Sequence, residues 1–143
     1  MILKIHSCSS KVKELYQKAL LARERSYSPY SGFAVGASIR TSDGNIYHGC
    51  NVENSSFGAT VCAERVAIQK AISEQGTIQI SEVMVITNTT PPSPLCGMCR
   101  QVIAEFAKNT VIYTANLEGD FQSLLFDQIF PHAFAAAHMK IKF

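Results

Sequence analysis

At 143 residues, with 47% apolar and 17% charged side chains, the chain is long enough to bury one hydrophobic core without disulfide staples, and it reads as a single domain over 1–143. Its apolar stretches fall far short of the roughly 20 residues of a membrane span. A formal net charge of +2 with scattered basic residues lacks the positive stripe of a nucleic-acid binder, so neither membrane nor nucleic acid is expected as a partner.

The opening MILKIHSCSS has no sustained apolar region and no small-residue cleavage site, so the expected compartment is the cytoplasm. Five cysteines, an odd count without an export signal, point to reduced thiols serving metal or catalysis. Val12, Leu15, Tyr16, Ala19 and Ala22 recur at helical steps behind Ser9-Ser10, predicting an amphipathic helix with a serine cap that ends near Ser26. Phe33–Thr41 and Asn45–Val52 read as strands around Ser42-Asp43-Gly44, whose Asp-Gly pair predicts an antiparallel hairpin. Gly32 and Gly36 there allow close backbone approach.

Val61 to Gln75 (VCAERVAIQKAISEQ) predicts a helix that begins at Cys62 and is closed by Gly76. Glu82–Thr87 reads as a strand, 88–95 as a Pro-rich loop, Gly97–Lys108 as a helix and Thr110–Thr114 as a strand. Strand, helix, strand in that order predicts a parallel pair with a right-handed crossover. A last helix is predicted over Phe121–Phe130 after the Gly119-Asp120 turn. These elements imply an α/β fold: a mixed sheet flanked by helices, with an N-terminal antiparallel hairpin and parallel strands.

Chemistry concentrates at two predicted helix starts, Cys62-Ala63-Glu64 and Cys96-Gly97-Met98-Cys99. A thiol at a helix N-terminus is pushed toward thiolate, the form that binds metal. Three protein ligands leave one tetrahedral position for water, the mark of a catalytic rather than a structural zinc site. Glu64, two residues beyond one ligand, is placed to face that open position and accept a proton from water whose pKa the metal lowers to roughly 7. Taken alone, Cys96–Cys99 reads equally as a redox pair or half of a structural zinc knuckle, and Glu64 as a solvated helix-start carboxylate. Cys8, Cys50 and the four histidines show no ligand spacing; Cys8 reads as a flexible thiol and Cys50 as a small buried side chain.

The combination C-A-E-R with P-L-C-G-M-C-R-Q resembles the signature of the zinc-dependent cytidine deaminases, in which three cysteines hold the metal and a glutamate shuttles the proton. Two earlier blocks, Ser31 to Ala37 (SGFAVGA) and Gly49 to Asn54 (GCNVEN), resemble the same family in order and spacing, so the resemblance runs from about Tyr16 to Phe134. It implies a three-layer α/β/α sandwich of the cytidine deaminase type. It also implies one Zn2+ on Cys62, Cys96 and Cys99, with Glu64 as catalytic acid and base. Phe33 is then expected on the pyrimidine, Asn51 and Glu53 on the ribose hydroxyls, and Ala63 to offer backbone groups to the base. Arg65 is expected to donate to the ligand sulfurs, whose three negative charges weaken the metal as a Lewis acid, with Arg100 a surface cation. Short three-cysteine members are homotetramers, which places Tyr30, Phe57 and Phe134 at positions that reach a neighbour's pocket. Leu95 stands where the family usually has proline before its second cysteine, and Gly58 where many members have proline.

The expected reaction is hydrolytic deamination of cytidine and deoxycytidine to uridine and deoxyuridine, in pyrimidine salvage. A deaminase of another aminopyrimidine nucleoside, of the blasticidin type, shares the zinc motif, and a non-enzymatic zinc module shares the cysteines. Phe33 and the Asn51-x-Glu53 pair argue against the first, and Glu64 against the second.

Overall fold

The computed structural model describes residues 1–139, so 140–143 of the expected domain lie outside the described residues. In chain order the elements are β1 (Leu3–Lys4), α1 (Ser10–Arg23), β2 (Gly36–Thr41), β3 (Ile46–Cys50), α2 (Ala63–Gln75), β4 (Ile80–Thr87), α3 (Gly97–Phe106), β5 (Ala107–Asn116), β6 (Asp120–Leu125) and α4 (Phe126–Ile129). The strands form one six-stranded sheet in the order β1-β6-β5-β4-β2-β3. β4 and β5 run parallel, joined through α3, and the other pairings between these six strands are antiparallel.

The continuous apolar run of β4 follows from a sheet covered on both faces. Side chains alternate along a strand, so Val83 and Val85 join Ala67, Ile68 and Ala71 of α2 and Ile103 of α3, while Met84 and Ile86 join Leu15, Tyr16 and Ala19 of α1. The layers are therefore α1, sheet, then α2 with α3. Close approach of helix to sheet is set by two glycines on opposite faces. A Cβ on Gly36 would stand 2.0 Å from the Ala19 carbonyl oxygen of α1, and one on Gly49 would stand 2.7 Å from the Ala67 nitrogen of α2. Gly32 has a different reason from the expected one: it turns the chain at φ +66°, and a Cβ there would meet open space.

Ser9 caps α1 as expected, its hydroxyl accepting from the Val12 N–H at 3.4 Å, and the helix ends at Arg23, before the expected Ser26. α3 stops at Phe106 rather than Lys108, because Ala107 already pairs with Ile80 of β4. The helix expected over Phe121–Phe130 is mostly strand. β6 pairs antiparallel with β5 through the Gly119 turn, and only Phe126–Ile129 is helical. Phe121, Leu124 and Leu125 have helical spacing, yet Phe121 buries itself against α1's cluster while Leu124 and Leu125 stay exposed at 40% and 52%. Tertiary pairing overrode local periodicity there. β1 is two residues long, pairs Leu3 with Phe121, and carries no periodic signal to read.

Candidate active site

α2 and α3 share an unusual N-cap. Cys62 and Cys96 occupy the cap positions with extended backbones, where Ser, Thr, Asp or Asn normally stand. Each thiol therefore sits beside the free N–H groups and positive end of a helix. Cys99, one turn into α3, donates its backbone N–H to Cys96 Sγ at 3.4 Å. The three Sγ atoms lie within 4.8 Å of one another, and Cys62 and Cys96 are 3.9 Å apart. A tetrahedral Zn2+ with bonds of about 2.3 Å has a sulfur–sulfur edge of roughly 3.8 Å, so the donor set fits that ion in softness and in size.

The thiols already favour one negative charge at Cys62. The Cys99 thiol donates to it, Arg65 and Cys96 add further hydrogen bonds, and together they hold its pKa at about 5 against the effect of burial. Cys99 is pushed up by that same bond, by burial and by the charge of Glu64. Arg65 Nη2 lies 3.7 Å from Cys62 Sγ and donates to the Thr60 carbonyl at 3.1 Å. Its Nε is buried without a hydrogen-bond partner among the described residues.

Glu64 stands in the first turn of α2 at 4% exposure. Burial holds its carboxyl above the ordinary glutamate range, with the negative charge of Cys62 adding to the effect. It is therefore a buried carboxyl rather than a solvated surface group. Glu64, Ala63, Cys62 and Cys96 line a cavity of about 240 Å³, to which Phe33, Asn51 and Glu53 also belong, with Ser31, Val35, Thr60, Val85, Thr87, Ser93 and Pro94.

Asn51 and Glu53 differ sharply in what they are free to do. Asn51 is 8% exposed and is already committed. Its Oδ1 accepts from Val35 N–H at 2.9 Å and from the Ser26 hydroxyl, and its Nδ2 donates to the Phe33 carbonyl at 2.7 Å, which leaves one amide N–H for a ligand. Glu53 accepts the backbone N–H groups of Tyr30 and Ser31 on Oε1 alone, at 2.9 and 3.1 Å, which leaves Oε2 for a ligand. Hydrogen bonding from Ser31 keeps its carboxyl below the usual range and so ionised.

Of the aromatic residues singled out in the sequence, Phe33 lines the cavity at 42% exposure. Tyr30 and Phe57 meet edge to face at 5.6 Å beside Glu53 and Thr60 at its mouth. Phe134 is not in this cavity; it stacks on His138 at 5.8 Å by a shallow depression with Pro131 and His132. Cys50 is half-buried with its thiol 3.4 Å from the Arg25 carbonyl, rather than fully enclosed.

Arg100 is a correction. Instead of a surface cation it is half-buried, donating to the carbonyl of Leu95, the residue before Cys96, and to that of Ile129 in α4, both at 3.0 Å. It ties the metal-site loop to the C-terminal segment. Leu95, at 3% exposure, anchors the same loop in the core. The cavity-lining hydroxyls of Thr87 and Ser93 belong to no motif, and only the return of the chain beside Cys96 brings them in.

A layered α/β fold whose paired helix starts gather a three-thiol cluster and a buried carboxylate beside one small cavity defines the class of zinc-dependent hydrolytic deaminases. The family model for the cytidine and deoxycytidylate deaminase zinc-binding region matches residues 9–115, a span that holds every residue of the cluster and Glu64, and the chain belongs to this family. The chain is 44% identical over 125 residues to the cytidine deaminase of Sporosarcina psychrophila, covering 87% of this chain and 91% of that one. Its identity to the cytidine deaminase of Halalkalibacterium halodurans is 44% over 126 residues, with coverages of 87% and 95%. The fold is similar to that of the cytidine deaminase from Burkholderia pseudomallei at a TM-score of 0.80 and 38% identity, over 85% of this chain and 98% of that one. The matched region is a zinc-binding one, and Cys62, Cys96 and Cys99 are positioned to hold one ion.

Proposed function

We infer that the chain hydrolyses the exocyclic amine of cytidine and deoxycytidine, releasing ammonia and leaving uridine or deoxyuridine. The observation that carries this reading is the buried Glu64 beside the three-sulfur cluster, on a cavity that also holds Phe33, Asn51 and Glu53. Bound by Cys62, Cys96 and Cys99, Zn2+ supplies Lewis-acid activation of the water that attacks C4 of the pyrimidine.

Glu64 accepts a proton from the attacking water and delivers it to N3, then takes the hydroxyl proton of the C4 adduct and passes it to the amine, which leaves as ammonia while the C4 carbonyl forms, so one carboxyl acts as base and acid in turn. Its shielding from bulk water keeps the proton on that route. Ala63 presents its backbone to the base, Phe33 covers the ring, and the free Oε2 of Glu53 with the remaining N–H of Asn51 reads the sugar hydroxyls. Arg65, against Cys62 Sγ, offsets the negative charge of the thiolates and so keeps the bound ion electrophilic.

The whole chain acts as one catalytic domain in a homotetramer, with Tyr30, Phe57 and Phe134 completing neighbouring cavities. Support for assembly is the exposure of these side chains, 51%, 74% and 56% respectively, despite the Tyr30–Phe57 and Phe134–His138 contacts. Its setting is pyrimidine salvage in the cytoplasm; no described helix is long and apolar enough to cross a membrane. An ultraviolet assay of the zinc-loaded protein against a small nucleoside panel tests the reading. Turnover of cytidine or deoxycytidine is expected, and absence of ammonia release from every aminopyrimidine nucleoside refutes it.

A further inference from the structure

Where β4 ends and the chain turns toward α3, three hydroxyls follow one another. Thr87 Oγ1 lies 2.9 Å from Thr89 Oγ1, which lies 2.8 Å from Ser93 Oγ, and in both contacts either atom can be the donor. The two ends of this chain, Thr87 and Ser93, line the cavity with Glu64 and Cys96, whereas the central Thr89 does not. Thr87 is 4% exposed, so its hydroxyl is shielded from bulk water.

Three hydroxyls own three hydrogens, and the two internal bonds use two of them. In either head-to-tail arrangement one hydrogen is left to donate at one end, while spare lone pairs remain at the other. Because each hydroxyl hydrogen rotates, the whole chain reverses by turning its hydrogens, with no proton transferred between oxygens.

Deamination makes this reversibility useful. The reacting carbon begins with an amine, which needs an acceptor, and ends with a carbonyl oxygen, which needs a donor. A fixed donor would suit the product alone and a fixed acceptor the substrate alone. Position agrees. Ser93 is three residues before the metal ligand Cys96, a span of at most roughly 11 Å, and Thr87 shares β4 with the cavity residue Val85. Both ends thus line the same cavity as Glu64 and Cys96.

We propose that the Thr87–Thr89–Ser93 hydroxyl chain is a reversible hydrogen-bonding element for the 4-substituent of the pyrimidine, accepting from the substrate amine in one orientation and donating to the product carbonyl in the other. This inference rests on the deaminase reading.

The test is Thr89→Val in the zinc-loaded protein, which cuts the chain at its centre with little change of shape and leaves both cavity-lining ends in place. Inhibition by uridine is expected to weaken about five- to tenfold, the worth of one hydrogen bond between neutral groups. Binding of pyrimidin-2-one ribonucleoside, which carries only hydrogen at C4, is expected to stay within twofold of wild type. Thr89→Ser restores the hydroxyl and should restore uridine affinity, and Ser93→Ala, which removes an end of the chain, should repeat the selective loss. Equal weakening of both nucleosides, or uridine affinity unchanged in Thr89→Val and Ser93→Ala, overturns the proposal while the wild-type turnover of cytidine still stands. A wild-type protein inactive on every aminopyrimidine nucleoside overturns the deaminase reading, and the inference falls with it.

Discussion

Replacing Asn51 by alanine is expected to damage stability and substrate recognition together, because one amide serves both. Its removal strips partners from the Val35 N–H, the Phe33 carbonyl and the Ser26 hydroxyl, all in the segment that carries Phe33 to the cavity. A buried polar group left unpaired costs about 1–3 kcal/mol, and these three are only partly buried, so a total of about 3 kcal/mol is expected. For a domain of this size that corresponds to a fall of about 10 °C in the melting midpoint. Glu53→Gln is the control. It keeps an acceptor oxygen for the Tyr30 and Ser31 N–H groups but gives up the charge offered to the sugar, so kcat/KM for cytidine should fall roughly tenfold or more with the midpoint held within about 2 °C. Melting by calorimetry at fixed zinc, paired with steady-state kinetics, reads both effects. An Asn51→Ala protein that melts with wild type and loses only substrate affinity would refute the reasoning, as would a Glu53→Gln protein destabilised as much as Asn51→Ala.

Metal analysis of the purified protein should find about one zinc per chain, and Cys99→Ala should lose most of it; a variant that retains zinc fully would remove Cys99 from the ligand set. Glu64→Gln should keep zinc and fold yet lose about 10²–10⁴-fold or more in kcat, since an amide cannot carry the proton, and activity within about tenfold of wild type would assign the shuttle elsewhere. Phe134→Ala should weaken subunit association and activity in parallel across a dilution series while zinc content holds. A fully active monomer in sedimentation would end the shared-cavity proposal and leave the deaminase reading intact, since Cys62, Cys96, Cys99 and Glu64 all come from one chain.

How much of the fold could be read from the sequence depended on whether each signal was local. The hairpin around Asp43-Gly44, the serine-capped α1 and the helix closed by Gly76 each declare themselves within a dozen residues, and each formed close to its expected place. β6 did not, because its apolar spacing over 121–125 fits a helix while its pairing partner lies across the Gly119 turn in β5. Asp120–Leu125 became a strand only because β5 offered a ladder and α1 a cluster in which Phe121 could bury.

The site divides along the same line. Its metal half rests on local signals, since each cysteine lies at a helix start or one turn in with Glu64 two residues from Cys62, and the resemblance of these blocks to the zinc deaminases selects a catalytic zinc site over a redox pair or a zinc knuckle. Its substrate half does not. Asn51 and Glu53 touch the 26–35 segment through bonds spanning 16 to 25 residues, and these contacts decide that Asn51 is mostly scaffold while Glu53 keeps a free oxygen. Arg100 shows the same principle from the metal side. It directly follows the ligand Cys99, yet what it does is set by a carbonyl 29 residues away in α4. Through that bond and the one to Leu95, Arg100 joins α4 to the loop that presents Cys96.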